Sequence, residues 1–108
     1  MKKKSTIKTL LAMGILGLFL LPSLASADEA TARKLINSQG CKGCHKIEGS
    51  GGSIGPDLDH VGSQLSAEAI KHQLLDPKAN NPNSIMPSMA HLSGDDINAL
   101  VEFLSGLK

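Results

Sequence analysis

The sequence has no tryptophan, no tyrosine and only two phenylalanines, Phe19 and Phe103. A small chain so poor in aromatics has little with which to build a core and needs a staple. Its two cysteines, Cys41 and Cys44, could close at most one intrachain disulfide, around a loop too small to stabilise much. No apolar run is long enough for a membrane span. The longest, Leu10 to Leu21, has 12 residues, against the ~20 that a spanning helix needs. No segment alternates apolar and polar residues as a half-buried strand would, and no internal repeat is present.

The short apolar run has another use. It follows the basic opening "MKKKSTIK" and precedes "LPSLASA", which ends in small residues at Ala25 and Ala27. This order is that of a secretory signal peptide, residues 1–27, with cleavage after Ala27 and export to the periplasm or beyond. No cysteine lies near "SLASA" to carry a lipid, so the mature chain is expected to have no permanent membrane anchor. The leader takes with it four of the 11 Lys and Arg and none of the 10 acids, leaving residues 28–108 with a net charge of −3. A weakly acidic domain has no electrostatic basis for binding nucleic acid. Residues 28–108 are short enough to form one domain.

Three helical segments stand out. "DEATARKLINSQG" (28–40) opens with acids, has apolar positions at Ala30, Leu35 and Ile36, and ends at Gly40. "SAEAIKHQLL" (66–75) starts at Ser66 as N-cap and carries a stripe of Ala67, Ile70 and Leu74 before Asp76–Pro77 stops it. "SGDDINALVEFLSGL" (93–107) opens with Ser93 and Asp96 at capping-box spacing, then repeats Ile97, Leu100, Val101 and Leu104 at helical period. Between them run two long stretches, 46–65 and 76–92, that are expected to be loops. Such lengths are uncommon in a small domain unless they line a ligand. The fold class expected is all-α, with two loops wrapped around something large and apolar.

The stretch "CKGCH", Cys41 to His45, says what that could be. C-x-x-C-H is the attachment signature of a c-type haem. Two cysteines three residues apart on a helical turn share one side, where both thiols can add to the porphyrin vinyl groups as thioethers. His45, next along the chain, can then offer its imidazole to the iron. Competing readings are weaker. A thioredoxin-like redox pair needs a βαβ setting that is missing and has no use for His45. A zinc tetrahedron needs four ligands, and Cys41, Cys44 and His45 are too contiguous to supply three comfortably. A plain structural disulfide suits an exported protein but also leaves His45 unexplained.

With these motifs in place, residues 28–108 resemble a class I monohaem cytochrome c nearly throughout. The order is a first helix running into "GCKGCH", then "GPDL", a middle helix, "MP" in a loop, and "LSGDDINALVEFL" at the end. The resemblance implies a small three-helix fold around one covalent haem c. It implies Pro56 as the carbonyl that accepts a hydrogen bond from the proximal His45, which would orient the ring and make it a more basic ligand. It also implies Met86 as the distal ligand and Phe103 packing on the first helix. Where family members place aromatics around the haem this chain has none, so its haem contacts should be aliphatic. Gln64, Lys78, Asn80, Asn81, Asn83 and Ser84 are the polar candidates for the propionates.

Met89 and His91 share the distal loop with Met86 and compete with it. Met86 precedes Pro87, whose fixed φ stiffens the loop at that point. His60 follows the proximal loop too closely to be a distal ligand, and His72 lies off the apolar stripe of its helix. "GSGGSIG" lacks the strand and the G-K-[ST] ending of a phosphate loop and reads as a flexible segment beside the haem. No nucleophile–base pair is present, so an enzyme is not expected. The function implied is a soluble, monomeric electron carrier meeting larger redox proteins in small, transient contacts. The alternative is a haem-based ligand sensor with a labile distal site, and a third class is a donor domain held permanently by one enzyme.

Overall fold

The computed structural model describes residues 27–108, together with Gly14 and Gly17. The expected leader, 1–27, otherwise lies outside the described residues; Ala27 begins the first helix. Among the described residues no helix is long and apolar enough to cross a membrane.

Three helices carry the core: α1 (Ala27–Ser38), α4 (Ala67–Leu75) and α6 (Gly94–Ser105). Between them lie α2 (Cys41–Cys44), a two-residue hairpin of β1 (Lys46–Ile47) and β2 (Ser50–Gly51), α3 (Val61–Gln64) and α5 (Pro77–Asn80). The all-α fold class holds, and the two stretches expected to be loops contain the hairpin and the single helical turns α3 and α5. Elements this short span about one period, so no pattern announces them. The hairpin pairs Lys46 with Gly51 and Ile47 with Ser50. Its turn puts Glu48 at φ 52° and Gly49 at φ 82°, the left-handed pair that a tight two-residue turn requires.

The helix ends follow the sequence signals. Ser66 Oγ accepts from the Ala69 N–H at 3.1 Å, and Ser93 Oγ accepts from the Asp96 N–H at 3.1 Å; each satisfies a donor the helix would otherwise leave open. Gly40, at φ 70°, turns the chain out of α1 and directly into α2.

α6 packs chiefly on α1 and then on α4. Ala32, Leu35 and Ile36 of α1, Ile70 and Leu74 of α4, and Ile97, Ala99, Leu100 and Leu104 of α6 are buried, together with Ile47, Val61 and Met89. Burying a side chain such as Leu100 contributes roughly 1.5–3 kcal/mol. Two expected apolar positions differ. Ala30 and Ala67 are exposed, whereas Ala32 is fully buried; a methyl group is too small a signal to fix the phase of a stripe. Phe103 does meet α1, through the Arg33 guanidinium, which sits 5.0 Å from its ring centroid. α3 approaches α6 closely enough for the Gly62 N–H to reach Leu107 O at 2.7 Å.

Candidate functional site

α2 is a single helical turn with Cys41 at its start and Cys44 at its end, closed by the His45 N–H on Cys41 O at 2.9 Å. Both thiols are free and half-buried, with Cys41 resting against the core. Burial pushes the Cys41 thiol above its ordinary value, because low dielectric disfavours the thiolate.

His45 leaves the turn in extended conformation, at φ −115° and ψ 141°. Its Nδ1 lies 2.7 Å from Pro56 O. A carbonyl can only accept, so Nδ1 carries a proton. A neutral ring held this way could offer Nε2 to a metal, with its orientation fixed by the Pro56 carbonyl.

The proximal loop is stitched to this segment by its backbone. Gly52 donates to Lys42 O at 2.9 Å, Gly55 to Cys44 O at 2.7 Å and Leu58 to Lys46 O at 2.9 Å. Gly55 abuts the imidazole: a Cβ there would stand 2.5 Å from His45 Cε1 and 2.7 Å from Nδ1. At Gly51, φ is 134° and a Cβ would run into His45 O. Gly52 is as closely fitted, since a Cβ there would run into Gly43 O, so contact requires glycine at positions 51, 52 and 55 of this run. Outside it, Lys46 Nζ pairs with Asp57 at 3.3 Å and Asp59 at 3.4 Å. Asp57 is held below the usual carboxylate range first by the Asp59 N–H and then by Lys46.

The distal loop is anchored on the C-terminal end of α4. Met89 donates its N–H to Leu74 O at 2.8 Å, and Ser88 Oγ donates to Leu75 O at 2.6 Å. Met89 is 5% exposed and belongs to the core. Met86 is half-buried and packs against the edge of the core, with its sulfur 3.9 Å from Gln73 Nε2. Lys78 and Ser84 line the same cleft as Met86, about 630 Å³ in volume. His91 is exposed, and its Nε2 lies 2.9 Å from Gln39 Oε1; His60 and His72 are exposed. Gln73 and Gln39 carried no signal beyond their type, although Gln73 stands three residues from Ile70 on the edge of the α4 stripe.

Among the described residues the exposed large apolar side chains, Ile54, Leu65 and Ile85, all lie in the two stretches expected to be loops. Ile54, 69% exposed, is two residues before Pro56, and Ile85, 81% exposed, directly precedes Met86. Two free thiols on one turn, an imidazole held by its Nδ1, and a soft thioether in the 76–92 stretch are donors that a covalently bound haem can use, and the residues fit that group. Among the described residues no cluster of three or more His, Cys, Asp or Glu could hold a metal ion instead.

Residues 29–108 match the family described as Cytochrome c. The chain is also 26% identical over 84 residues to cytochrome c oxidase subunit 2 of Alkalihalophilus pseudofirmus, an alignment covering 70% of this chain and 25% of that relative. The chain therefore spans about a quarter of that protein's length. It belongs to the cytochrome c family, whose members carry covalently bound haem c and transfer electrons.

Proposed function

We propose that this member of the cytochrome c family carries one haem, bound through Cys41 and Cys44, and shuttles single electrons between larger redox proteins outside the cytoplasm. The observation that carries the reading is the 2.7 Å bond from His45 Nδ1 to Pro56 O, directly after two free thiols on one helical turn. The bound iron supplies the Fe(III)/Fe(II) couple; the chain supplies the ligands, their orientation and exclusion of water.

His45 is the proximal ligand through Nε2, and Met86 is the distal one. Three facts support Met86 over its competitors: Met89 is committed to the core, His91 is hydrogen-bonded to Gln39, and Met86 is only half-buried and lines a cleft. With His45 and Met86 both holding the iron, no position would remain for substrate, so the protein would not be an enzyme by itself. A distal loop tied to Leu74 and Leu75 also weighs against the labile site of a ligand sensor. Ile54 and Ile85, exposed in the two loops, are aliphatic side chains of the kind a haem would cover, in keeping with a domain almost without aromatics. The likeness to an oxidase subunit supports an oxidase as one electron acceptor. Residues 1–27 serve as a cleaved export leader, and the mature domain acts as a monomer.

The test is an optical spectrum of the exported protein in both redox states, followed by denaturing electrophoresis with a peroxidase stain. A six-coordinate spectrum and a haem band on the polypeptide are expected, with no band from a Cys41→Ala, Cys44→Ala variant. A wild-type polypeptide free of haem would sink the proposal.

A further inference from the structure

We propose that Gln73, with its amide oriented by Asn80, is a positioning residue for the Met86 sulfur and raises the reduction potential of the bound haem. The inference rests on Met86 being the distal ligand. Gln73 Nε2 is 3.9 Å from Met86 Sδ, and Asn80 Nδ2 is 3.5 Å from Gln73 Oε1.

The direction of this chain of hydrogen bonds follows from chemistry. A thioether sulfur has no proton and can only accept, so the amide end that faces it is the NH2 group. The Gln73 carbonyl is then turned away and needs a donor, which Asn80 supplies. Asn80 thus holds the amide in the one orientation useful to the sulfur. A thioether has two lone pairs; with one given to iron, the other can receive the Gln73 N–H.

The fold keeps the pair together. Gln73 is in the last turn of α4, beside buried Leu74. The carbonyls of Leu74 and Leu75 hold Met89 and Ser88, which fixes the loop bearing Met86 against the same turn. Ser84 Oγ accepts the Met86 N–H at 3.3 Å. Gln73 and Met86 are both half-buried, where a hydrogen bond to a weak acceptor is less diluted by water.

The consequence is electronic as well as positional. An N–H on the sulfur draws density away from it and weakens its donation to iron. A thioether favours Fe(II) because it donates weakly and accepts density back from the metal, and an N–H on the sulfur would strengthen that bias, so the reduced state gains. Hydrogen bonding around an axial ligand is a recognised lever on haem potential. A purely structural tie between α4 and α5 would change stability and leave the potential alone.

The experiment uses the haem-loaded protein and the variants Gln73→Leu, Asn80→Ala and Gln73→Glu. The readouts are midpoint potential, the ferric thioether–iron charge-transfer absorption, and carbon monoxide affinity. Gln73→Leu should reduce the preference for Fe(II) about threefold, which is ~30 mV at ~59 mV per tenfold for one electron. Asn80→Ala should move the potential the same way by less. Gln73→Glu should add a potential step in the carboxylic acid range, since the protonated group can donate to sulfur and the carboxylate cannot. If wild type shows the thioether absorption while Gln73→Leu and Asn80→Ala both keep its potential, the proposal is overturned and the Met86 assignment stands. If wild type lacks that absorption, the ligand assignment fails and takes this proposal with it. Should Gln73→Leu not fold, the exposed Asn80→Ala decides alone.

Discussion

Gln39 and His91, 52 positions apart in sequence, are joined by a 2.9 Å hydrogen bond between Oε1 and Nε2. The bond ties the end of the distal loop to the residue before Gly40, where the chain enters the cysteine turn. It also occupies the one spare histidine whose place in the sequence would let it compete for iron. His91→Ala should therefore leave the optical spectrum and potential unchanged. A lost hydrogen bond of this kind typically costs about 0.5–1.5 kcal/mol, and exposure puts this one at the lower end. Denaturant unfolding of the haem-loaded variant checks it; a changed spectrum would make His91 a ligand.

Met86→Ala and Met89→Ala should fail in opposite ways. Without the Met86 sulfur the fold should persist, because the thioethers, His45 and the core remain. The site should open to carbon monoxide, and the potential should fall by ~59 mV for each tenfold loss in relative affinity for Fe(II). Met89 is buried in the core, so Met89→Ala should cost roughly 2–5 kcal/mol with little change at the iron. Redox titration alongside thermal unfolding separates the two.

Gly55→Ala tests the proximal strap. The new methyl must displace the His45 ring or the loop that carries Pro56, and overpacking of this kind typically costs 1–3 kcal/mol. A weakened bond from His45 to Pro56 leaves a less basic imidazole, which favours Fe(III) less. Midpoint potential should therefore rise as stability falls. A variant with lower stability and an unchanged potential would mean that Pro56 does not tune the ligand.

Acid should lower the protein's stability through its paired carboxylates. Glu48 is held below its ordinary value first by Arg33, whose guanidinium lies 2.6 Å from one carboxylate oxygen. Asp57 is likewise depressed, by the Asp59 N–H and then Lys46. A carboxyl with a lowered folded value stabilises the fold fully above its unfolded value, and that contribution disappears as pH falls through the folded one. Stability should thus decline from the ordinary carboxylate range downward. These groups are exposed, so the effect should be small and should shrink in high salt. Melting curves across that range, with Glu48→Gln flattening the slope, are the check.

N-terminal sequencing of the exported protein should begin at Asp28. A chain still starting at Met1 or Lys2 would mean that the leader is retained.

Short-range patterns carried the parts of the protein that the sequence determined. Cys41 and Cys44 share a helical turn because three residues nearly complete one, and Ser66 and Ser93 cap helices whose stripes recur within a few residues. Each of these relationships is local, so spacing alone expresses it. The single turns α3 and α5 and the hairpin at Lys46–Gly51 were illegible because they are no longer than one period. Met86 was set apart from Met89 by the following Pro87 and by the family resemblance, but the burial of Met89 had a different origin. Both sit in one irregular loop with the same chemistry, and which of them enters the core depends on where that loop bonds to Leu74 and Leu75. The fit of Gly55 against His45, the reach of Gln73 to the Met86 sulfur and the tie between His91 and Gln39 are likewise contacts between distant segments. Side-chain direction in a loop is set by what the loop meets, and only the folded chain brings those partners together.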